Sequence, residues 1–265
     1  MGERVKIKIE GGVADVRLNR PDKLNGLDPA MFEDLVTTGR ELAADRSLRS
    51  VVLSGEGRAF CAGLDFKAFF GERKPGETPN LMTRGSAPAN FAQSAAWVWS
   101  QLPVPVIAAV HGVAFGGGLQ IALAADVRVV APDAQLSVME IKWGLIPDMT
   151  GSQTLRHLVR LDVAKELTFT GRIVSGEEAA RLGLATRVAA DPHATALEIA
   201  REIAGKSPDA IRAGKELFQE SWLEPVADAF AREERLQRGL MGKANQLEAV
   251  QANFEKRAPR FHDPE

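Results

Sequence analysis

The chain has 265 residues and a single cysteine, Cys61, which excludes an internal disulfide and fits a reducing compartment. The opening stretch MGERVKIKIE lacks the apolar centre of a secretory leader. The longest apolar runs, such as VPVIAAV, fall far short of a bilayer crossing. An excess of one charge is missing too: 33 Lys and Arg stand against 35 Asp and Glu, a net −2. Such a balance leaves no electrostatic footprint for nucleic acid or an anionic membrane. The four histidines, His111, His157, His193 and His262, have no ligand spacing with one another or with Cys61, so no metal site is expected. Neither GxGxxG nor a GK[ST] ending occurs, which argues against dinucleotide and P-loop chemistry. No internal repeat is legible. The expectation is a soluble, cytoplasmic chain without metal, nucleic-acid or membrane partners.

What is present reads as alternating strands and helices. VKIKIE and VADVRL alternate in period two around Gly11 and Gly12, the pattern of a β-hairpin. Asp28 before Pro29 marks a helix start, and SVVLSG, PVIAAVHG and VRVVA read as inner strands. Ser175 and Glu178 have the spacing of a capping box. Residues 71–90 are rich in Gly and Pro and predict an exposed, mobile loop, either a tolerated insertion or a lid over a ligand. Beyond Asp191 the strand pattern ends, and TALEIAREIA and DAIRAGKELF are amphipathic helices suited to subunit packing. An α/β core over 1–190 and a helical region over 191–265 are therefore expected.

The chemistry concentrates in two glycine turns, each where a strand is expected to end and a helix to begin. The first is RAFCAGLDF, 58–66, and the second is FGGGLQIALAAD, 115–126. Glycines let backbone approach a ligand closely, and a helix's first turn carries unpaired N–H groups. Two such donors aimed at one point would stabilise a developing oxyanion without a metal. Gln120 is the one polar side chain in the second helix. Glu140 lies among Met139, Ile141, Trp143 and Leu145, where desolvation favours proton uptake and makes it a usable shuttle. Cys61 reads as a small buried side chain and His111 as a hydrogen-bonded core residue. Trp97 and Trp99 in NFAQSAAWVW either pack in the core or face a ligand.

These segments, together with NRPDKLNGL, AAVHGVAFGGGLQIALAADVRV and the closing FEKRAPRF, resemble the crotonase, or enoyl-CoA hydratase/isomerase, superfamily over nearly the whole chain. The resemblance implies a spiral of ββα turns with a helical C-terminal region that builds trimers, often paired into hexamers. It implies an acyl-CoA thioester substrate, with coenzyme A part of the substrate and no separate cofactor, and an enolate formed at the thioester carbonyl. Carried over, the oxyanion donors are the N–H groups of Leu64 and Gly117. Coenzyme A is expected along Ala62, Gly63, Asp65 and Gly116, with Lys67 and a neighbouring subunit's Lys256 near its phosphates.

Hydratases of the family use two glutamates on one water; here those positions hold Gln120 and Glu140. Gln120 cannot transfer a proton. Asp148, eight residues after Glu140, resembles the second acid of the family's dienoyl-CoA isomerases, or else it caps the helix TGSQTLRHL. The favoured expectation is double-bond isomerisation of an enoyl- or dienoyl-CoA, with Glu140 as base and Asp148 as a second proton carrier. Slow hydration with Gln120 orienting water, and a non-catalytic acyl-CoA binder, are the alternatives.

Overall fold

In the computed structural model, which describes residues 4–70, 80–85 and 87–264, the hairpin forms as the alternation predicts. Strands β1 (Val5–Glu10) and β2 (Val13–Leu18) pair antiparallel, and Gly11 and Gly12 turn between them at φ 58° and 78°. Both angles lie where only glycine sits without strain. Helix α1 (Pro29–Ala44) starts as expected: the Asp28 carboxylate accepts the Met31 N–H at 2.8 Å, and Pro29 takes the first position. Strand β3 (Ser50–Gly55) then adds parallel to β2.

After α2 (Phe66–Phe70) and α3 (Phe91–Ser100), strand β4 (Val106–Val110) extends the sheet, followed by β5 (Val113–Phe115) and α4 (Gly117–Leu123). Next come β6 (Val127–Val130), β7 (Gln135–Ser137), α5 (Gly151–Leu158), α6 (Leu161–Thr170), β8 (Val174–Ser175), α7 (Gly176–Leu182) and β9 (Arg187–Val188). The chain closes with α8 (Pro192–Ala204), α9 (Pro208–Ser221), α10 (Val226–Leu240) and α11 (Ala244–Glu255). The main sheet runs β1-β2-β3-β4-β6-β9, parallel from β2 onward, and a small sheet joins β5, β7 and β8. The α/β expectation holds.

Parallel strands need cover on both faces, and period two divides their side chains between two cores. Val51, Leu53, Val106, Ala108 and Val110 enter the large core. Val52, Ile107, Ala109 and Val129 point the other way, onto Ala196 and Ala200 of α8. The expected boundary at 190/191 falls just before α8, so this first helix of the C-terminal region is the lid of the sheet. Along α9, α10 and the turn between them the large apolar residues Phe218, Trp222, Val226 and Phe230 are exposed.

Ser175 caps α7 by accepting the Glu178 N–H at 3.1 Å, but the reciprocal half of the box does not form, because Glu178 pairs with Arg172 at 2.8 Å. A capping box does form on α3, between Asn90 and Gln93. Trp99 is fully buried and donates to the Ala95 carbonyl. The loop expected over 71–90 lies outside the described residues at 71–79 and 86; its remainder holds a 3-10 turn, Asn80–Met82, and an Arg84–Asn90 bridge.

Candidate functional site

The two glycine turns meet. Cys61 N–H donates to the Val113 carbonyl at 3.0 Å and Phe115 N–H to the Cys61 carbonyl at 3.0 Å, so the first turn runs alongside β5 and reaches the start of α4. Only glycine fits at the closest approach: Gly63 has φ 86°, and a Cβ there would stand 2.6 Å from the Phe115 carbonyl oxygen and 3.7 Å from the Gly117 nitrogen. Leu64 and Gly117, both half-buried, donate their N–H groups to no acceptor among the described residues. The arrangement can offer two N–H donors to one ligand oxygen.

Gly116 and Gly118 answer different constraints. At Gly118 a Cβ would collide with the Cys61 carbonyl at 2.3 Å, so this glycine serves packing. Gly116, at φ 51°, brings its backbone beside Glu140: a Cβ there would be 3.3 Å from Oε1. Glu140 opens a 3-10 turn, Glu140–Trp143, and is 8% exposed. Its Oε2 is buried without a hydrogen-bond partner. Burial pushes this carboxyl above the ordinary glutamate range; its own N–H and the Gln120 amide offset part of the rise, and the charge of Asp148 adds to it.

Gln120 is tied into the fold at both ends of its amide. Its Oε1 accepts two backbone N–H groups, from Met149 at 2.8 Å and Gly151 at 2.9 Å, which fills both lone pairs. Its Nε2 donates to Glu140 Oε1 at 2.6 Å. Gln120, which the alternative hydratase reading casts as a water-orienting group, is thus a bracket that fixes the Glu140 carboxylate between α4 and the start of α5. The segment supplying those N–H groups holds Thr150 at φ 74°, a left-handed conformation uncommon for a β-branched residue, with its hydroxyl buried and unpartnered.

Asp148 does not cap α5. Thr150 occupies the N-cap position, without a side-chain cap bond, and the Gly151 N–H goes to Gln120 instead. Asp148 is half-buried, and burial raises its pKa, with its own N–H offsetting part of the shift.

Asp65, expected among the ligand-binding residues, is held within the fold. It pairs with Arg20 at 2.7 Å and caps α2 by accepting from Lys67 and Ala68 N–H groups. Burial raises its pKa, but Arg20 and these N–H groups prevail and hold it below the ordinary range. Ala62 commits its N–H to the Leu24 carbonyl at 2.9 Å. Lys67 and Lys256 are exposed, the latter at the end of α11 with φ 51°. Cys61 is fully buried, its thiol pushed up to about 12 by desolvation and partly drawn back by the Gly63 N–H, so it is inert as a nucleophile. His111 is partly exposed rather than in the core, with Nε2 2.9 Å from the Gly57 carbonyl.

Sequence reasoning missed the support beneath the first turn. Asn25 is fully buried in the left-handed region, φ 55°, which Asn tolerates better than most residues. Its Nδ2 donates to the Glu56 and Ala59 carbonyls, its Oδ1 accepts the Arg20 N–H, and its own carbonyl accepts the Cys61 thiol. The available signal is the LNG triplet inside NRPDKLNGL, where Asn precedes Gly. Asn25→Ala should strand those buried groups and cost on the order of 3 kcal/mol of stability, measurable by chemical denaturation.

Volume alone would direct attention elsewhere, to a cleft of about 710 Å³ lined by Trp97, Gln153, His157, Lys215, Phe218 and Trp222. Its two buried cations are committed, Lys215 to Asp126 at 2.7 Å and Arg128 to the Leu184 and Ala125 carbonyls, and the exposed Arg156 rests on the His157 ring at 3.1 Å. Trp97 therefore lines that cleft and not the Glu140 site. The unspent donors and the unpaired carboxylate oxygen lie around Leu64, Gly117 and Glu140. No group of three or more His, Cys, Asp or Glu among the described residues could hold a metal ion, and no described helix is long and apolar enough to cross a membrane.

The enoyl-CoA hydratase/isomerase family profile matches residues 8–264. A probable enoyl-CoA hydratase of Mycobacterium leprae is 33% identical over 254 residues, covering 94% of each chain. The human mitochondrial enoyl-CoA hydratase domain-containing protein 2 is 34% identical, covering 94% of this chain and 85% of its own. A crystal structure of enoyl-CoA hydratase from Bacillus anthracis superposes with a TM-score of 0.87 at 31% identity, covering 97% of this chain and 98% of that one.

Proposed function

The chain belongs to the enoyl-CoA hydratase/isomerase family, and within it we propose that this member moves a double bond along an acyl-CoA thioester instead of adding water across it. The observation that carries this reading is the Gln120 bracket: an amide with both lone pairs of Oε1 spent on Met149 and Gly151 carries no proton, so Glu140 has no carboxylate facing it at position 120 to share the activation of a water. Isomerisation needs only one carboxylate. The thioester oxygen lies between the Leu64 and Gly117 N–H groups. Glu140 Oε2 takes a proton from the α carbon of a 3-enoyl-CoA, electron density moves onto the thioester oxygen, and the resulting dienolate is held by the two donors. The carboxyl trades its proton with solvent and then delivers a proton to the γ carbon as the oxygen reforms its carbonyl, which leaves the conjugated 2-enoyl thioester carrying a solvent-derived hydrogen.

Asp148 extends the reach of this chemistry. Glu140 feels its charge, both groups are raised by burial, and Asp148 is not used as a helix cap, so it serves as the second proton carrier for a dienoyl substrate. Asp148→Asn should lower turnover of a 3,5-dienoyl-CoA by about 10²-fold or more and leave the 3-enoyl reaction within a few-fold. Equal losses on both substrates in steady-state assays would leave Asp148 without a separate role. The relatives named as hydratases favour hydration as the second reading, and slow hydration by Glu140 alone would leave product carrying one added water.

Assembly as a trimer, or a pair of trimers, in the cytoplasm belongs to the same proposal. The exposed apolar side chains on α9 and α10 supply the surface for it. In such an assembly Lys256 reaches a neighbour's coenzyme A phosphates. Lys256→Ala should then weaken coenzyme A binding by about 1–3 kcal/mol in calorimetry, with the difference shrinking as salt rises.

A further inference from the structure

Two residues after Leu64, the Phe66 ring stacks on the indole of Trp143, three residues after Glu140, at 4.2 Å between centroids and 33° between planes. This contact joins the turn that carries a free N–H donor to the turn that carries the base. Around it the chain exposes an unusual run of apolar side chains: Ile141, Trp143 at 53%, Leu145 and Ile146 at 72%, all within six residues of Glu140. Lys142 is the single charged residue from 141 to 146, and its Nζ rests 5.8 Å from the Trp143 ring. A cluster of this kind, left open to water beside a reactive site, marks a surface meant to be covered.

We propose that the Phe66–Trp143 pair, continued by Ile141, Leu145 and Ile146, is the bed of the acyl tail, and that the chain takes acyl-CoA thioesters whose tail runs well past the reacting carbons. The inference rests on the acyl-CoA reading of the site. Its occupant follows from continuity. A thioester oxygen at the Leu64 N–H and reacting carbons at Glu140 place the substrate along the two segments that the ring pair ties together. The four-carbon unit that undergoes reaction is spent between donor and base, so the aliphatic surface at Leu145 and Ile146 has work only for carbons beyond it. A site for the adenine or the phosphates would instead call for hydrogen-bonding groups and cations, and this run offers one lysine. Phe66 and Trp143 are then residues that set chain-length preference, and Glu140 keeps its role for every length.

The test is a binding series that needs no turnover. Wild type, Trp143→Ala and Ile146→Ser are titrated calorimetrically with acetyl-CoA, octanoyl-CoA and free coenzyme A, with oligomeric mass followed by light scattering. A methylene fully removed from water raises affinity about fourfold, so even partial cover of the octanoyl tail should make it bind wild type at least about tenfold more tightly than acetyl-CoA. Trp143→Ala should erase most of that gap while acetyl-CoA and free coenzyme A stay within about twofold, and the more exposed Ile146→Ser should do the same to a smaller degree. Equal affinity of wild type for both thioesters overturns the inference and leaves the acyl-CoA reading standing. Equal losses for all three ligands put the ring on the coenzyme A side and overturn it as well. Loss of oligomeric mass with an unchanged affinity gap assigns the patch to a subunit contact, which also overturns it. Wild type that binds none of the three defeats the acyl-CoA reading itself.

Discussion

Glu140→Gln should lower proton exchange at the substrate carbons by about 10²–10⁴-fold while coenzyme A binding stays within a few-fold, as measured by deuterium incorporation and calorimetry. Glutamine preserves the shape and can still accept the Gln120 Nε2 hydrogen at the place of Oε1, so what is lost is the capacity to carry a proton. Wild-type exchange should rise with pH through a midpoint above the ordinary carboxylate range, since burial holds the Glu140 proton more tightly. The stability consequence has the opposite sense. An unfolded glutamate loses its proton near 4.5, whereas the folded one keeps it to higher pH. Over that window the native state holds more protons than the unfolded state, so stability falls as pH rises. The Gln variant escapes this and should be at least as stable as wild type at neutral pH. A variant that exchanges protons at the wild-type rate would remove Glu140 from the role of base.

Gly63→Ala should be nearly as damaging through a different cause. The new Cβ would lie 2.6 Å from the Phe115 carbonyl oxygen in a backbone at φ 86°, so the first turn must move away from β5 and from the Gly117 nitrogen. The two donors would no longer share one point, and turnover should fall by about 10²–10³-fold, the loss expected for one oxyanion donor. Gly214→Ala on α9, where a Cβ meets nothing within 4 Å, is the matched control and should leave kcat unchanged. Retained turnover in Gly63→Ala, with folding confirmed by denaturation, would mean that Leu64 and Gly117 do not act on one oxygen.

The parts of this architecture that were legible in the sequence are those with local causes. Period two and two glycines specify the β1–β2 hairpin, and Asp28-Pro29 specifies the start of α1. Glu140 was legible because an ionisable residue among Met139, Ile141 and Trp143 is conspicuous in a sequence. What could not be read depends on distant partners. An amphipathic helix looks the same whether it lies on a sheet or on another subunit, so the cover that α8 gives to Val52 and Ile107 was invisible. Strands of two or three residues, β5, β7 and β8, are too short to display an alternation. Gln120 drew attention as a lone polar residue, but its two acceptor bonds come from backbone N–H groups about thirty positions later, which no pattern announces. Asp148 sits at cap spacing from α5, yet Thr150 takes that position because the turn is spent on bracketing Gln120.

The central claim, a single carboxylate fixed by Gln120 and working on a dienolate, is tested most directly by incubating the protein in deuterated water with 2-enoyl-, 3-enoyl- and 3,5-dienoyl-CoA thioesters and identifying products by mass and NMR. The account predicts that the 3-enoyl thioester becomes the 2-enoyl isomer with deuterium at the carbons between which the proton moves, and that the 2-enoyl thioester gains water slowly or not at all. Rapid conversion of the 2-enoyl thioester to a 3-hydroxyacyl product, with the 3-enoyl thioester returned unchanged and free of deuterium, would contradict it.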